Sequence, residues 1–202
     1  QTRLGVIYFT DLTELYQVRD EYIRSRPVVS IILVDNYEEL TKNLNEAAIS
    51  SLNARINEVI TAWTEPYHGL LRRLEKNRFL FVFEKRDLQK IIDEKFSLIE
   101  DAHSILNPAG LPASISIGMG VDGANFDESY NFAALGIEMA LSRGGDQAVI
   151  KDRFNFSFYG GRQQEADYTS KVKSRVKANS LMELIGQSSR VFVMGHRNAD
   201  MD

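Results

Sequence analysis

Between residues 28 and 150 the chain alternates segments of strand character with segments of helical periodicity, and this alternation narrows the possible folds most. The apolar run Val28-Val29-Ser30-Ile31-Ile32-Leu33-Val34 has the make-up of a strand buried on both faces. Ile49, Leu52, Ile56, Val59, Ile60 and Trp63 then share one face of a helix. After the break at Glu65-Pro66, residues 70–74 and 79–83 read as two short strands. The polar turn Glu75-Lys76-Asn77-Arg78 joins them into a hairpin. A helix over residues 88–106 turns Ile91, Ile92, Phe96, Ile99 and Leu106 inward, and Asn107-Pro108-Ala109-Gly110 ends it. Residues 113–120 form a strand through the alternation of Ile115, Ile117 and Met119. Tyr130, Ala134, Ile137 and Leu141 mark another amphipathic helix, which stops at Gly144-Gly145 before the short strand Ala148-Val149-Ile150. The order β-α-α-β-β-α-β-α-β predicts an α/β (α+β) fold, a mixed central sheet covered by helices. About 125 residues suffice for one such core.

Two flanks stand outside this unit. Upstream, Leu4-Gly5-Val6-Ile7-Tyr8-Phe9 is strand-prone, and Asp11 with Glu14 forms a capping-box pattern ahead of Leu12, Leu15, Val18 and Tyr22 at helical spacing. One strand and one helix bury no core, so they read as the tail of an upstream domain and a connecting helix. Downstream, a helix from Arg162 to near Gly186 carries Tyr168, Val172, Val176, Leu181 and Leu184 on one face. Its other face carries Lys171, Lys173, Arg175 and Lys177 and reads as solvated. Starting at Gln1 without Met and stopping at Asp202 inside a patterned segment, the chain reads as a piece of a longer protein. A net charge of −4 gives no general basic surface and argues against DNA as a partner. With no cysteine, disulfides, Cys-ligated zinc and thiol nucleophiles are excluded, which fits a reducing cytoplasm. No apolar run reaches the ~18 residues of a spanning helix.

The strongest chemical signal closes the chain. Residues 190–194 read as an apolar strand whose C-terminal end delivers His196, Asp200 and Asp202. One imidazole nitrogen and two hard carboxylates suit Mn²⁺ or a similar divalent ion. Paired ions of that kind hold the attacking water and the leaving oxygen in phosphodiester cleavage. On spacing alone the alternative is a polar loop with His196 at the surface. The segment His196-Arg197-Asn198-Ala199-Asp200-Met201-Asp202 resembles the first motif of the DHH phosphoesterase family, in which the His and both Asp bind manganese. The motif that gives that family its name is not in this sequence.

Residues 28–150 in turn resemble a GGDEF domain, the fold of diguanylate cyclases, in strand order and in the Ser114-Ile115-Ser116-Ile117-Gly118 strand. A GGDEF domain joined by a helix to a DHH unit and preceded by a sensor is similar to the GdpP (YybT) type of cyclic-di-AMP phosphodiesterase. The resemblance covers essentially the whole chain. It implies the end of a PAS domain and a signalling helix over residues 1–26, and a degenerate GGDEF domain over 27–153. A linker helix over 154–189 and the start of a DHH domain over 190–202 follow. It further implies a parent anchored in the cell membrane, working on the cytoplasmic side. That parent would hydrolyse cyclic-di-AMP to linear pApA with two Mn²⁺ ions, with His196, Asp200 and Asp202 among their ligands. The domain itself would relay sensor state to the catalytic unit, as a homodimer through the helix over 11–26.

Against the family's own motifs the GGDEF domain has decayed. The GGDEF turn is replaced by Glu75-Lys76-Asn77-Arg78-Phe79, so the glycines that let a nucleotide approach the backbone and the acidic pair are both gone. Where an active cyclase has Asp-x-Asp, this chain has Leu33-Val34-Asp35. Ser142 and Asp146 align with the phosphate-binding Lys and Arg, and the RxxD inhibition motif falls on residues 66–69 and is absent. Diguanylate cyclase activity is therefore not expected. Gly144-Gly145-Asp146-Gln147 imitates the lost motif but follows a helix, where C-capping glycine is the expected use. What remains is Asp35 and Asn36, expected to face Asn77 and Arg78. These four could hold ATP with one Mg²⁺, and the resemblance implies feeble ATP hydrolysis. The other reading makes them solvated loop residues on a spacer. His68 and His103 have no ligand pattern nearby and read as structural.

Overall fold

The computed structural model describes residues 10–160 and Arg190. The apolar run that opens the core becomes β1 (Pro27–Val34), buried at every position but its first. Before it lies α1 (Thr13–Arg24), and after it come α2 (Tyr37–Thr41) and α3 (Glu46–Thr64). The hairpin β2 (Gly69–Arg73) and β3 (Arg78–Glu84) leads through a short 3-10 turn, Lys85–Asp87, into α4 (Leu88–Asp93) and α5 (Leu98–Ala102). Then follow β4 (Ile115–Gly120), α6 (Phe126–Ser142), β5 (Gln147–Lys151) and β6 (Phe156–Gly160). The strands form one sheet in the order β2-β3-β1-β4-β5-β6. Only the β4–β5 pair is parallel, as the crossover through α6 requires. The mixed α/β architecture expected from the alternation is the one observed.

Strand parity divides the sheet's two faces. Val28, Ile32 and Val34 of β1, with Phe79, Phe81 and Phe83 of β3 and Ile115 and Ile117 of β4, join Leu52, Ile56, Ile60 and Trp63 of α3 in the larger core. On the opposite face Val29, Ile31 and Leu33 meet Ala133 and Ile137 of α6. Gly120 permits that contact, because a β-carbon there would overlap the Ser129 carbonyl of α6. This close approach also selects the helix face. Ser129, Phe132, Ala133, Gly136 and Ile137 are buried, whereas Leu141, expected inward, is 44% exposed.

Further expectations are corrected. The single helix over 88–106 is two short helices. Lys95 and Phe96 between them take positive φ, and the fully buried Phe96 ring lies 5.0 Å from that of Tyr159. Leu106, expected inward, is exposed. Residues 156–160, assigned to the linker helix, are instead an edge strand paired antiparallel to β5. The capping box expected of Asp11 and Glu14 is not formed: the N-cap of α1 is Leu12, without a side-chain cap, Asp11 accepts from the Thr13 amide at 2.9 Å, and no residue of the helix is buried. The strand expected over 4–9, the helix from Arg162 to near Gly186, and His196, Asp200 and Asp202 lie outside the described residues.

Candidate functional site

Asp35 follows directly on β1, and the backbone clips that strand end between its two neighbours. The Val34 amide donates to the Asn77 carbonyl at 2.9 Å, and the Asp35 amide donates to that of Ser114 at 2.9 Å. Its parity matches Leu33, so the carboxylate lies on the α6 face rather than toward the hairpin. There Oδ2 accepts from Ser114 Oγ and Ser116 Oγ, each at 2.9 Å, and from the Asp146 amide at 3.0 Å. Oδ1 is buried without a partner among the described residues. Burial raises the Asp35 carboxyl above its ordinary value, against the pull of the three hydrogen bonds, and the Asp146 charge adds to the rise.

The turn that supplies the Asp146 amide is the one sequence reading assigned to a helix C-cap. Gly144, Gly145 and Asp146 all take positive φ, and the Gly145 amide donates back to the Ala140 carbonyl at 2.9 Å. A β-carbon on Gly145 would press on Asp35 Oδ2, so glycine is required there by space as well as by conformation. From the other side His103 Nε2 lies 2.7 Å from Asp146 Oδ1. His103, expected to be structural, thus braces this turn. His68 is an exposed ring whose Nδ1 is 3.6 Å from Asp87. Ser142 donates to the Met139 carbonyl.

Asn36 is equally committed: Nδ2 donates to the Pro112 carbonyl at 2.9 Å and Oδ1 accepts from the Ser114 amide at 3.1 Å. The expected grouping of Asp35 and Asn36 with Asn77 and Arg78 is therefore corrected. The four share one end of the sheet, but Asp35 Oδ2 and the Asn36 amide bond to β4, its approach and the 144–146 turn. Asn77 contributes its carbonyl to β1, and the half-buried Arg78 has an Nε with no partner among the described residues.

Arg73, which sequence reading passed over, organises the hairpin turn. Its guanidinium donates to the Glu75 carbonyl at 3.0 Å, the Lys76 carbonyl and Asn53 Oδ1 at 2.9 Å, and lies 5.2 Å from the Phe79 ring centre. The available signal was an Arg at the mouth of a two-strand pattern. Its partners on α3 could not be read from spacing. Chemically, this corner presents two carboxylates, Asp35 and Asp146, where a triphosphate would need cations. Among the described residues no group of three or more His, Asp or Glu is placed to hold a metal.

The family model described as "Cyclic-di-AMP phosphodiesterase GdpP-like, GGDEF domain" matches residues 32–158. The cyclic-di-AMP phosphodiesterase GdpP of Bacillus subtilis (strain 168) is 31% identical over 198 residues, covering 98% of this chain and 30% of that protein. The cyclic-di-AMP phosphodiesterase PdeA of Listeria monocytogenes is 32% identical over the same span and shares. The chain thus spans about a third of the length of these relatives. Among solved structures, the active GGEEF domain of a diguanylate cyclase from Vibrio cholerae superposes with a TM-score of 0.55 at 12% identity, over 67% of this chain and 89% of that one. That likeness is one of fold. The chain belongs to the family of GGDEF domains of GdpP-like cyclic-di-AMP phosphodiesterases.

Proposed function

We propose that this chain is the central regulatory region of a longer, metal-dependent cyclic-di-AMP phosphodiesterase, in which the GGDEF-type domain relays sensor state rather than making a cyclic dinucleotide. The observation that carries this is the engagement of Asp35 Oδ2 and of both polar atoms of the Asn36 amide in internal hydrogen bonds. Asp35, the acid left at the family's metal position, here holds the 144–146 turn. The parent would cleave cyclic-di-AMP to linear pApA, and His196, Asp200 and Asp202 would be Mn²⁺ ligands that hold the ions on which water is activated. The domain division at 1–26, 27–160 and the segments beyond belongs to the same reading. So do membrane anchoring of the parent, a cytoplasmic position for this domain and dimerisation through α1. Among the described residues no helix is long and apolar enough to cross a membrane.

A second reading keeps a nucleotide at the old site, with ATP, Mg²⁺ and weak hydrolysis. Two buried polar atoms without partners at that end, Asp35 Oδ1 and Arg78 Nε, favour it. Calorimetric titration of the chain with ATP and GTP in Mg²⁺ or Mn²⁺, with phosphate release followed in parallel, separates the two. The relay reading expects no binding at millimolar nucleotide. Turnover abolished by Asp35→Ala establishes the second reading in its place.

A further inference from the structure

Away from that corner, a groove of about 440 Å³ opens between the C-terminal end of α3 and the α4–α5 connection. It is lined by the buried Trp63 and Tyr67, by the half-buried Val59, and by Pro66, Glu94 and Asp101 at its exposed edge. Trp63 is 7% exposed and its indole N–H is buried with no acceptor among the described residues, an arrangement that proteins rarely leave unsatisfied. Tyr67 donates its hydroxyl to Glu94 Oε2 at 2.6 Å, which fixes one carboxylate at the rim. An ammonium already sits in this neighbourhood, for Lys90 Nζ lies 5.2 Å from the centre of the Tyr67 ring. The connection beside the groove holds two bulky residues, Lys95 and Phe96, in the left-handed region.

We propose that this groove binds a small amphiphilic amine, its apolar body against Trp63, Val59 and Pro66 and its protonated nitrogen between Glu94 and Asp101. An oxygen acceptor near the middle of the ligand answers the indole N–H as the side chains adjust. The two carboxylates repel a cyclic dinucleotide, whose phosphodiesters carry the opposite requirement. Such a ligand would bridge α3 to the α4–α5 segment, so the site offers the domain an input separate from the Asp35 corner.

Trp63 is the only tryptophan in the chain, and its emission reports the groove directly. The test titrates the chain with 2-phenoxyethylamine, 2-phenoxyethanol and phenoxyacetate, three probes of one shape and three charges. The amine should shift the emission saturably with a Kd about tenfold below that of the alcohol, with the acid weakest. In the Glu94→Gln, Asp101→Asn double variant the amine and the alcohol should differ by no more than about twofold. If that variant does not fold, Lys90→Met, which removes the competing ammonium, must tighten the amine. Equal affinities for the three probes, an unsaturable response, an amine preference that survives loss of both carboxylates, or a saturable response to cyclic-di-AMP with none to the amine would each overturn the proposal.

Discussion

Asp35, which follows directly on β1, is tied through Oδ2 to Ser114, Ser116 and the Asp146 amide. Because burial raises its folded-state value, the folded chain holds that proton more tightly than the unfolded chain does. Its contribution to stability is therefore fully present below the ordinary value of 3.8 and is lost as pH rises through the raised folded value. Asp35→Asn should remove this dependence, so that the melting temperature of the unaltered chain falls relative to the variant as pH rises from about 4. Parallel melting curves over that rise would contradict the account. Arg73 makes a separate case. Arg73→Ala strips the hairpin turn of its bonds to Glu75, Lys76 and Asn53, and should cost about 1–3 kcal/mol in urea unfolding. At this scale little was legible in advance. Asp35 itself was, but its partners lie 79, 81 and 111 positions away and become neighbours only through sheet register and the α6 crossover.

Elements were far more legible than contacts, wherever burial imposes a period. The β1 run declares a strand buried on both faces and is one, and the α3 stripe turns inward as expected, while β4 is buried at every position, with Ile115, Ile117 and Met119 in the larger core. Legibility failed where long-range packing overrides local pattern. The break at Lys95-Phe96 depends on a buried place for the Phe96 ring against Tyr159, and β6 exists as a strand because β5 offers it an edge. The inward face of α6 was misjudged for a related reason. Small residues on β4 draw the helix in along Gly136 and Ala133 rather than along Leu141. Gly120→Ala should accordingly push α6 off the sheet and cost about 3 kcal/mol or more, measured by chemical denaturation. A loss below about 0.5 kcal/mol would mean that the close approach is not what seats the helix.

At the scale of the whole molecule, the informative feature is how lightly α1 is attached. No residue of the helix is buried, and Leu15, Val18 and Tyr22 leave an apolar stripe at helical spacing on its surface. Among the described residues one ion pair ties the helix to the core. Arg86 lies 2.6 Å from Glu21 of α1 and 2.5 Å from Glu84 of β3, while Arg26, just past the helix, and Lys85 converge on Asp122 at 3.1 and 2.6 Å. The exposed Arg86–Glu21 pair is of the kind that holds weakly. On the proposed reading, that stripe would pair with a second copy of itself. The chain should therefore scatter light as a dimer, and Leu15→Glu with Val18→Glu should halve that mass. A monomer in both cases would remove dimerisation from the account.

The relay claim is tested most directly by severing the Arg86 tie in the longer phosphodiesterase and measuring hydrolysis of cyclic-di-AMP in Mn²⁺. Arg86→Ala leaves His196, Asp200 and Asp202 untouched. If α1 speaks to the catalytic unit through this domain, the steady-state rate should change by about two- to fivefold, the range that one exposed ion pair can impose on a conformational equilibrium. A rate and a sensor response both identical to those of the unaltered protein would contradict the relay.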